Sequence, residues 1–213
     1  KLVEHGLLPD NEELERKRVS QVYDMLVLLM SQILPDGVRL GKTGKESRVS
    51  ELEFHFPASR IDTAELAELF RKYPSTYSGG SFPERLAELD PEVKAGFMHG
   101  YMDLVFEKDG KYYIVDWKSN FLGPSPDDYT IGKLAAAMEN NFYTLQYAIY
   151  IAALLKFLRS RIMDFSAGRH FGGVIYVFLR GISDGKPEGG IYFSRPPDGF
   201  LAELEKIFGD ARR

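Results

Sequence analysis

Two aspartates and a lysine, Asp103, Asp116 and Lys118, stand in the stretch GYMDLVFEKDGKYYIVDWKSN, residues 100–120. Asp109-Gly110 in its middle is a strong two-residue hairpin signal, because a type I′ turn needs positive φ at both central positions. Pairing Lys108 with Lys111 then sets Glu107 opposite Tyr112, Phe106 opposite Tyr113, Val105 opposite Ile114, Leu104 opposite Val115 and Asp103 opposite Asp116. Directly opposed side chains have Cβ atoms about 4.5–5.5 Å apart, and like charges placed so are destabilising unless something neutralises them. A divalent cation would do so. Lys118 follows Asp116 by two, so strand alternation puts its ammonium on the same face. The other face reads Met102, Leu104, Phe106, Tyr113, Val115 and Trp117, all apolar.

The chemistry that needs this set is metal-assisted hydrolysis of a phosphodiester. Hard oxygen ligands hold Mg²⁺, the ion polarises the phosphate and lowers the pKa of a bound water, and the lysine positions that water or stabilises developing negative charge. The competing reading is a solvated hairpin face on which two Asp and one Lys pair off as surface ions. Val105 and Ile114 share that face and argue against full exposure.

The rest of the chain must position these groups. Its 213 residues, 44% hydrophobic and 27% charged, suit a soluble globular protein with a substantial core. No apolar run approaches the roughly 18 residues of a membrane span, so no membrane role is expected. With no cysteine there is no disulfide framework, zinc-thiolate site or iron-sulfur cluster, and a cytoplasmic setting fits. The net charge of −4 gives no global basic field, so nucleic-acid binding would rest on local patches. The chain opens on a polar stretch without Met and reads as a domain of something larger.

Residues 10 to 34 read as a packing helix capped at Asp10 or Asn11, followed by a Gly- and Lys-rich link and a half-buried strand at 49 to 56. In that strand Leu52, Phe54 and Phe56 alternate with Glu51, Glu53 and His55. Glu53 could approach the metal if the strand neighbours the hairpin; a solvated Glu is the competing reading, and His55, alone on its face, is not expected to be a ligand. Thr63 to Lys72 is a short amphipathic helix, and one helical turn is expected near Glu84 to Leu89. Gly96 and Gly100 flank His99 and suit a close backbone approach or a bulge. Without a bulge His99 shares the face of the carboxylates.

A long helix is expected from Thr130 to about Met163, broken near Asn140-Asn141, with Gln146 and Tyr150 on one face. Gly172 to Leu179 reads as a strand covered on both faces, Gly190 to Ser194 as a shorter one, and Pro197 to Phe208 as a closing helix. The order describes one α/β domain with a mixed β-sheet flanked by helices, 1–45 forming an N-terminal helical part and 46–208 the core.

Gly100-Tyr101-Met102-Asp103, Asp116-Trp117-Lys118 and Gln146-Tyr147-Ala148-Ile149-Tyr150 match, in order, the GxxD, DxK and QxxxY succession. The chain thereby resembles RecB-family nucleases, a branch of the PD-(D/E)xK superfamily, over roughly residues 46 to 208. The resemblance implies a restriction-endonuclease-like core and a Mg²⁺-dependent DNA nuclease with one ion per site. Asp103, Asp116 and the Trp117 carbonyl would be metal ligands, Lys118 would serve catalysis, and Gln146 and Tyr150 would line the site and meet the DNA backbone. It further implies a helicase-nuclease subunit working with RecC and RecD and helping to load RecA. The family's histidine, on a helix upstream, has no counterpart here, so weak metal binding and poor cleavage are expected. A docking module that guides strands is the alternative class, and no Walker sequence occurs.

Overall fold

The computed structural model describes residues 12–58, 62–77, 80–89, 96–184 and 189–209. In chain order they form α1 (Glu12–Ser31), β1 (Arg48–Ala58), α2 (Thr63–Lys72), α3 (Phe82–Ala87), β2 (Gly96–Lys108) and β3 (Lys111–Lys118). There follow α4 (Ile131–Asn140), α5 (Tyr143–Arg159), α6 (Ala167–His170), β4 (Phe171–Phe178), β5 (Ile191–Ser194) and α7 (Asp198–Ile207). The expected caps Asp10 and Asn11 lie outside the described residues.

The five strands make one mixed sheet in the order β1-β2-β3-β4-β5, parallel only between β3 and β4. This is an α/β architecture compatible with a restriction-endonuclease-like core. The hairpin register is pinned at its turn, where Asp109 and Gly110 take φ of 53° and 76°. The pairs run from Lys108 with Lys111 to Leu104 with Val115. The Gly110 amide donates to Glu107 Oε1 at 2.6 Å and closes the turn.

Each sheet face has its own cover. Val105, Ile114, Val174 and Tyr176 pack with α2, α3, α4, α5 and α7, whereas Leu104, Phe106, Tyr113, Val115, Ile175 and Val177 pack with Leu29, Leu34, Val38 and Leu40. The second cover is thin. Leu29 of α1 is buried, while Val22, Tyr23, Leu26, Val27 and Met30 are exposed, so only the last turns of the expected packing helix meet the sheet.

The expected long helix is two helices. At Phe142 the backbone takes φ of 53°, the Asn141 side chain donates to the Ala137 carbonyl at 2.9 Å, and the Arg85 guanidinium lies 4.8 Å over the Phe142 ring. α5 then runs through the larger core, with Tyr147, Ile151, Leu154 and Leu155 fully buried. Full burial of one large apolar side chain contributes about 1.5–3 kcal/mol. Several together fix the rotation of α5 and hence the direction of Gln146 and Tyr150.

Strand alternation fails at one place. Leu104 packs on the N-terminal side of the sheet, yet Met102 packs with Val105 and Ile114 on the α5 side. The face expected to carry Met102, Leu104 and Phe106 together therefore divides. At the same level of β1, Glu51 has φ of 54° between the pairs Ser50 with Leu104 and Leu52 with Met102, and the register on either side of it is unshifted. At the same place β2 parts from β3, whose ladder ends at Leu104 and Val115.

Candidate active site

Asp116 sits in the middle of the sheet, paired with Tyr176 of β4, and is 3% exposed. Lys118 is 9% exposed, and its Nζ stands 2.6 Å from Asp116 Oδ2. That contact acts as an ion pair, and no other donor to Asp116 Oδ2 is present among the described residues. Burial lifts the Asp116 carboxyl above its ordinary value; Lys118 opposes this and the Asp103 charge adds to it. Two neighbouring carboxylates, one of them buried, with a single ammonium for the pair are a set that a hard cation would suit.

Lys118 is held from three sides. Its ammonium donates to Gln146 Oε1 at 2.9 Å and lies 3.8 Å over the Tyr143 ring and 5.2 Å over the Tyr176 ring. The Tyr176 hydroxyl donates to Gln146 Oε1 at 3.2 Å and is within 3.4 Å of the Tyr143 carbonyl. Gln146 Nε2 in turn donates to the Tyr150 hydroxyl at 2.9 Å. Gln146 Oε1 is thus already engaged by Lys118 and Tyr176. Tyr150, pushed up to about 12 by burial and by the charges of Asp116 and Asp103, keeps its proton at neutral pH and can donate it.

Asp103 reaches the same neighbourhood by another route. Its Oδ2 accepts from the Trp117 amide at 2.8 Å, just beyond the last paired residues of β2 and β3. A side-chain carboxylate there takes an amide that has left the ladder. Gly100 clears the approach from β1: a Cβ there would lie 2.7 Å from Phe54 Cζ, and the Phe54 ring meets Tyr150 edge-on with centroids 5.8 Å apart.

Reading from sequence alone misses Tyr143 and Tyr176. Tyr143 precedes Gln146 by three and Tyr150 by seven, so helical spacing could have found it. Tyr176 is hidden in an apolar strand and becomes visible only when β4 is laid beside Asp116.

His55 and His99 also differ from expectation. His55 is not alone, because β1 pairs it with His99, and the rings stack with centroids 4.3 Å apart. Glu53 Oε1 lies 2.9 Å from His55 Nε2 and 3.1 Å from His99 Nε2, and accepts from the Tyr101 hydroxyl at 3.1 Å. Hydrogen bonds from His55, His99 and Tyr101 hold the Glu53 carboxyl below its ordinary value. The turnover at Glu51 and Asp103 puts this group away from Asp116 and Lys118, on the side opposite Leu52, Phe54 and Met102. An apolar groove of about 800 Å³ is lined by Ile33, Tyr129, Ile131 and Phe193 and has none of these site residues in its wall.

No family model matches the chain. It is 37% identical over 182 residues to the RecBCD enzyme subunit RecB of Escherichia coli K12, which covers 85% of the chain and 15% of that protein. It is 43% identical over 113 residues to the same-named subunit of Haemophilus influenzae, covering 53% of the chain and 9% of the relative. Against that of Mycobacterium tuberculosis it is 30% identical over 193 residues, covering 81% and 18%. The chain therefore spans less than a fifth of the length of these relatives.

Proposed function

We propose that the chain is the nuclease unit of a RecB-type subunit, a Mg²⁺-dependent phosphodiesterase of the exodeoxyribonuclease V type acting on unwound DNA during double-strand break repair. The observation that carries the reading is the buried ion pair of Asp116 and Lys118 with the Asp103 carboxylate beside it, two carboxylates for one ammonium in a site where burial disfavours charge. The identity to three proteins named RecB supports the same substrate class.

Asp103, Asp116 and the Trp117 carbonyl are the groups that would hold the ion. When bound, Mg²⁺ supplies Lewis-acid polarisation of a phosphate oxygen and a more acidic water. The chain's own part is electrostatic and positional. Lys118, confined by Gln146 Oε1 and the faces of Tyr143 and Tyr176, presents a fixed positive charge where negative charge develops on the phosphate. Its confinement means that little reorganisation is needed during the reaction. Gln146 acts here chiefly as the holder of Lys118, and the Tyr150 proton is offered to a backbone phosphate oxygen.

In the longer protein this unit would work with RecC and RecD and assist RecA, receiving strands that other domains unwind. The test is cleavage of end-labelled single-stranded DNA with Mg²⁺ by the wild-type chain and by Asp116→Ala, with circular dichroism as the folding control. Cleavage by the wild type and none by a folded Asp116→Ala chain is the expected result. Equal cleavage by both would place the chemistry elsewhere. No cleavage by either, in this chain and in the longer protein alike, with DNA still bound, would favour the strand-guiding module.

A further inference from the structure

β1 and β2 continue together after β2 has parted from β3, so residues 96–102 of β2 have β1 as their partner strand. A two-stranded ribbon is marginal in water without further support. On its exposed face the register sets Glu53 beside Tyr101 and His55 beside His99, a square of four polar side chains. The opposite face, with Leu52, Phe54 and Met98, is turned to the core.

From this square we propose a second metal site, made by Glu53 Oε1, His55 Nε2 and His99 Nε2, that takes a transition cation of the Zn²⁺ class and clips β1 to β2. The three donor atoms lie within 4.8 Å of one another, and Glu53 Oε1 lies 2.9 Å from His55 Nε2 and 3.1 Å from His99 Nε2. A tetrahedral ion with ligand bonds of about 2.0–2.2 Å holds its donors about 3.3–3.6 Å apart, within reach of small side-chain rotations. Two imidazoles and one carboxylate with a fourth position open to water is a donor set that zinc accepts. Imidazole also selects against Mg²⁺, which prefers an all-oxygen shell.

One further feature fits the assignment. The Tyr101 hydroxyl donates to Glu53, so the carboxylate is oriented by a neighbour that would not itself ligate. The two rings stand on the same side of the ribbon, stacked 11° from parallel, and a shared ion would turn them out of this stack so that their in-plane Nε2 lone pairs converge. Without an ion the contacts are exposed carboxylate–imidazole pairs, which contribute little to stability. With one, His55 and His99, 44 positions apart in the chain, would be tied through a common ion. The site is independent of the nuclease reading, because it lies on the other side of the turnover at Glu51 and shares no ligand with Asp103 and Asp116.

The experiment is calorimetric titration of ZnCl₂ into the 213-residue chain in a large excess of Mg²⁺, with His55→Ala, His99→Ala, Glu53→Gln and Asp116→Asn alongside. All three proposed ligands are exposed, and circular dichroism confirms the fold of each variant. One saturable site is expected, weakened about 10-fold or more by either histidine substitution and unchanged by Asp116→Asn. Co²⁺ should give a tetrahedral visible absorption band in the wild type that His99→Ala removes. Absence of saturable Zn²⁺ binding, an affinity indifferent to both histidines, or loss of binding in Asp116→Asn would each overturn the proposal.

Discussion

Lys118 Nζ stands 2.6 Å from Asp116 Oδ2, deep in the sheet, and the two residues answer to different masters. Lys118 is anchored by Gln146, Tyr143 and Tyr176, all held by the core, so removing Asp116 would leave the ammonium well housed. Asp116 has no comparable second support. The asymmetry separates the expected consequences of substituting each.

Asp116→Ala is expected to abolish cleavage and Lys118→Gln to lower its rate about 10²–10³-fold, the usual cost of one preorganised electrostatic group. Both should keep their circular dichroism, since the apolar faces around them are untouched. A folded Lys118→Gln chain that cuts at the wild-type rate would remove Lys118 from the chemistry.

Mg²⁺ should raise the melting temperature of the wild type and much less that of Asp116→Asn. At about 100 times Kd the stabilisation is about 2.7 kcal/mol, or roughly 5–10 °C for a domain of this size. An equal shift in both proteins would put the bound ion elsewhere.

The pH dependence carries a definite sign. Burial raises the Asp116 carboxyl above 3.8 in the folded state, so over that interval the folded chain binds more protons than the unfolded one. This group's contribution to stability is therefore largest below 3.8 and is lost as pH rises through the raised folded value. Other carboxyls, such as Glu84 and Glu203, are lowered by their partners and act in the opposite sense. The difference in metal-free unfolding free energy between Asp116→Asn and wild type isolates Asp116: it should grow in favour of Asn as pH rises from about 4 to 7. A pH-independent difference between the two would contradict the buried, ion-free carboxylate.

Tyr143→Leu tests the cage. It removes the ring 3.8 Å below Lys118 and the hydroxyl that donates to Asn120 Oδ1 at 3.0 Å. A cation–π contact of about 1–2 kcal/mol corresponds to roughly a 5–30-fold loss in kcat, with DNA affinity little changed. A loss confined to affinity would instead mean that Tyr143 touches DNA.

The sequence was informative where local chemistry decides the outcome. Asp109-Gly110 dictated the hairpin and its register, and Asn140-Asn141 marked the helix break, because both depend on a few adjacent residues. The turnover at Glu51 was not legible: no glycine marks it, and an α-left glutamate inside a strand is held by its surroundings. Tyr176 beside Asp116 and His99 beside His55 were equally hidden, since each depends on which strands become neighbours across 40 to 60 residues of chain. The three motif blocks pointed to Asp103, Asp116, Lys118, Gln146 and Tyr150 before any pairing was known, but not to the contacts among them.

The parting of β2 from β3 makes the Trp117 amide a reporter. Its hydrogen bond runs to the Asp103 carboxylate rather than to a ladder carbonyl, so its protection from solvent exchange is governed by one side chain. Backbone amides on either side of it in β3 should exchange with the sheet as a whole, whereas Trp117 should speed up on its own in Asp103→Ala. An ion that draws the carboxylate toward itself would be read at that amide as a change in exchange rate and nitrogen chemical shift, without any substrate present.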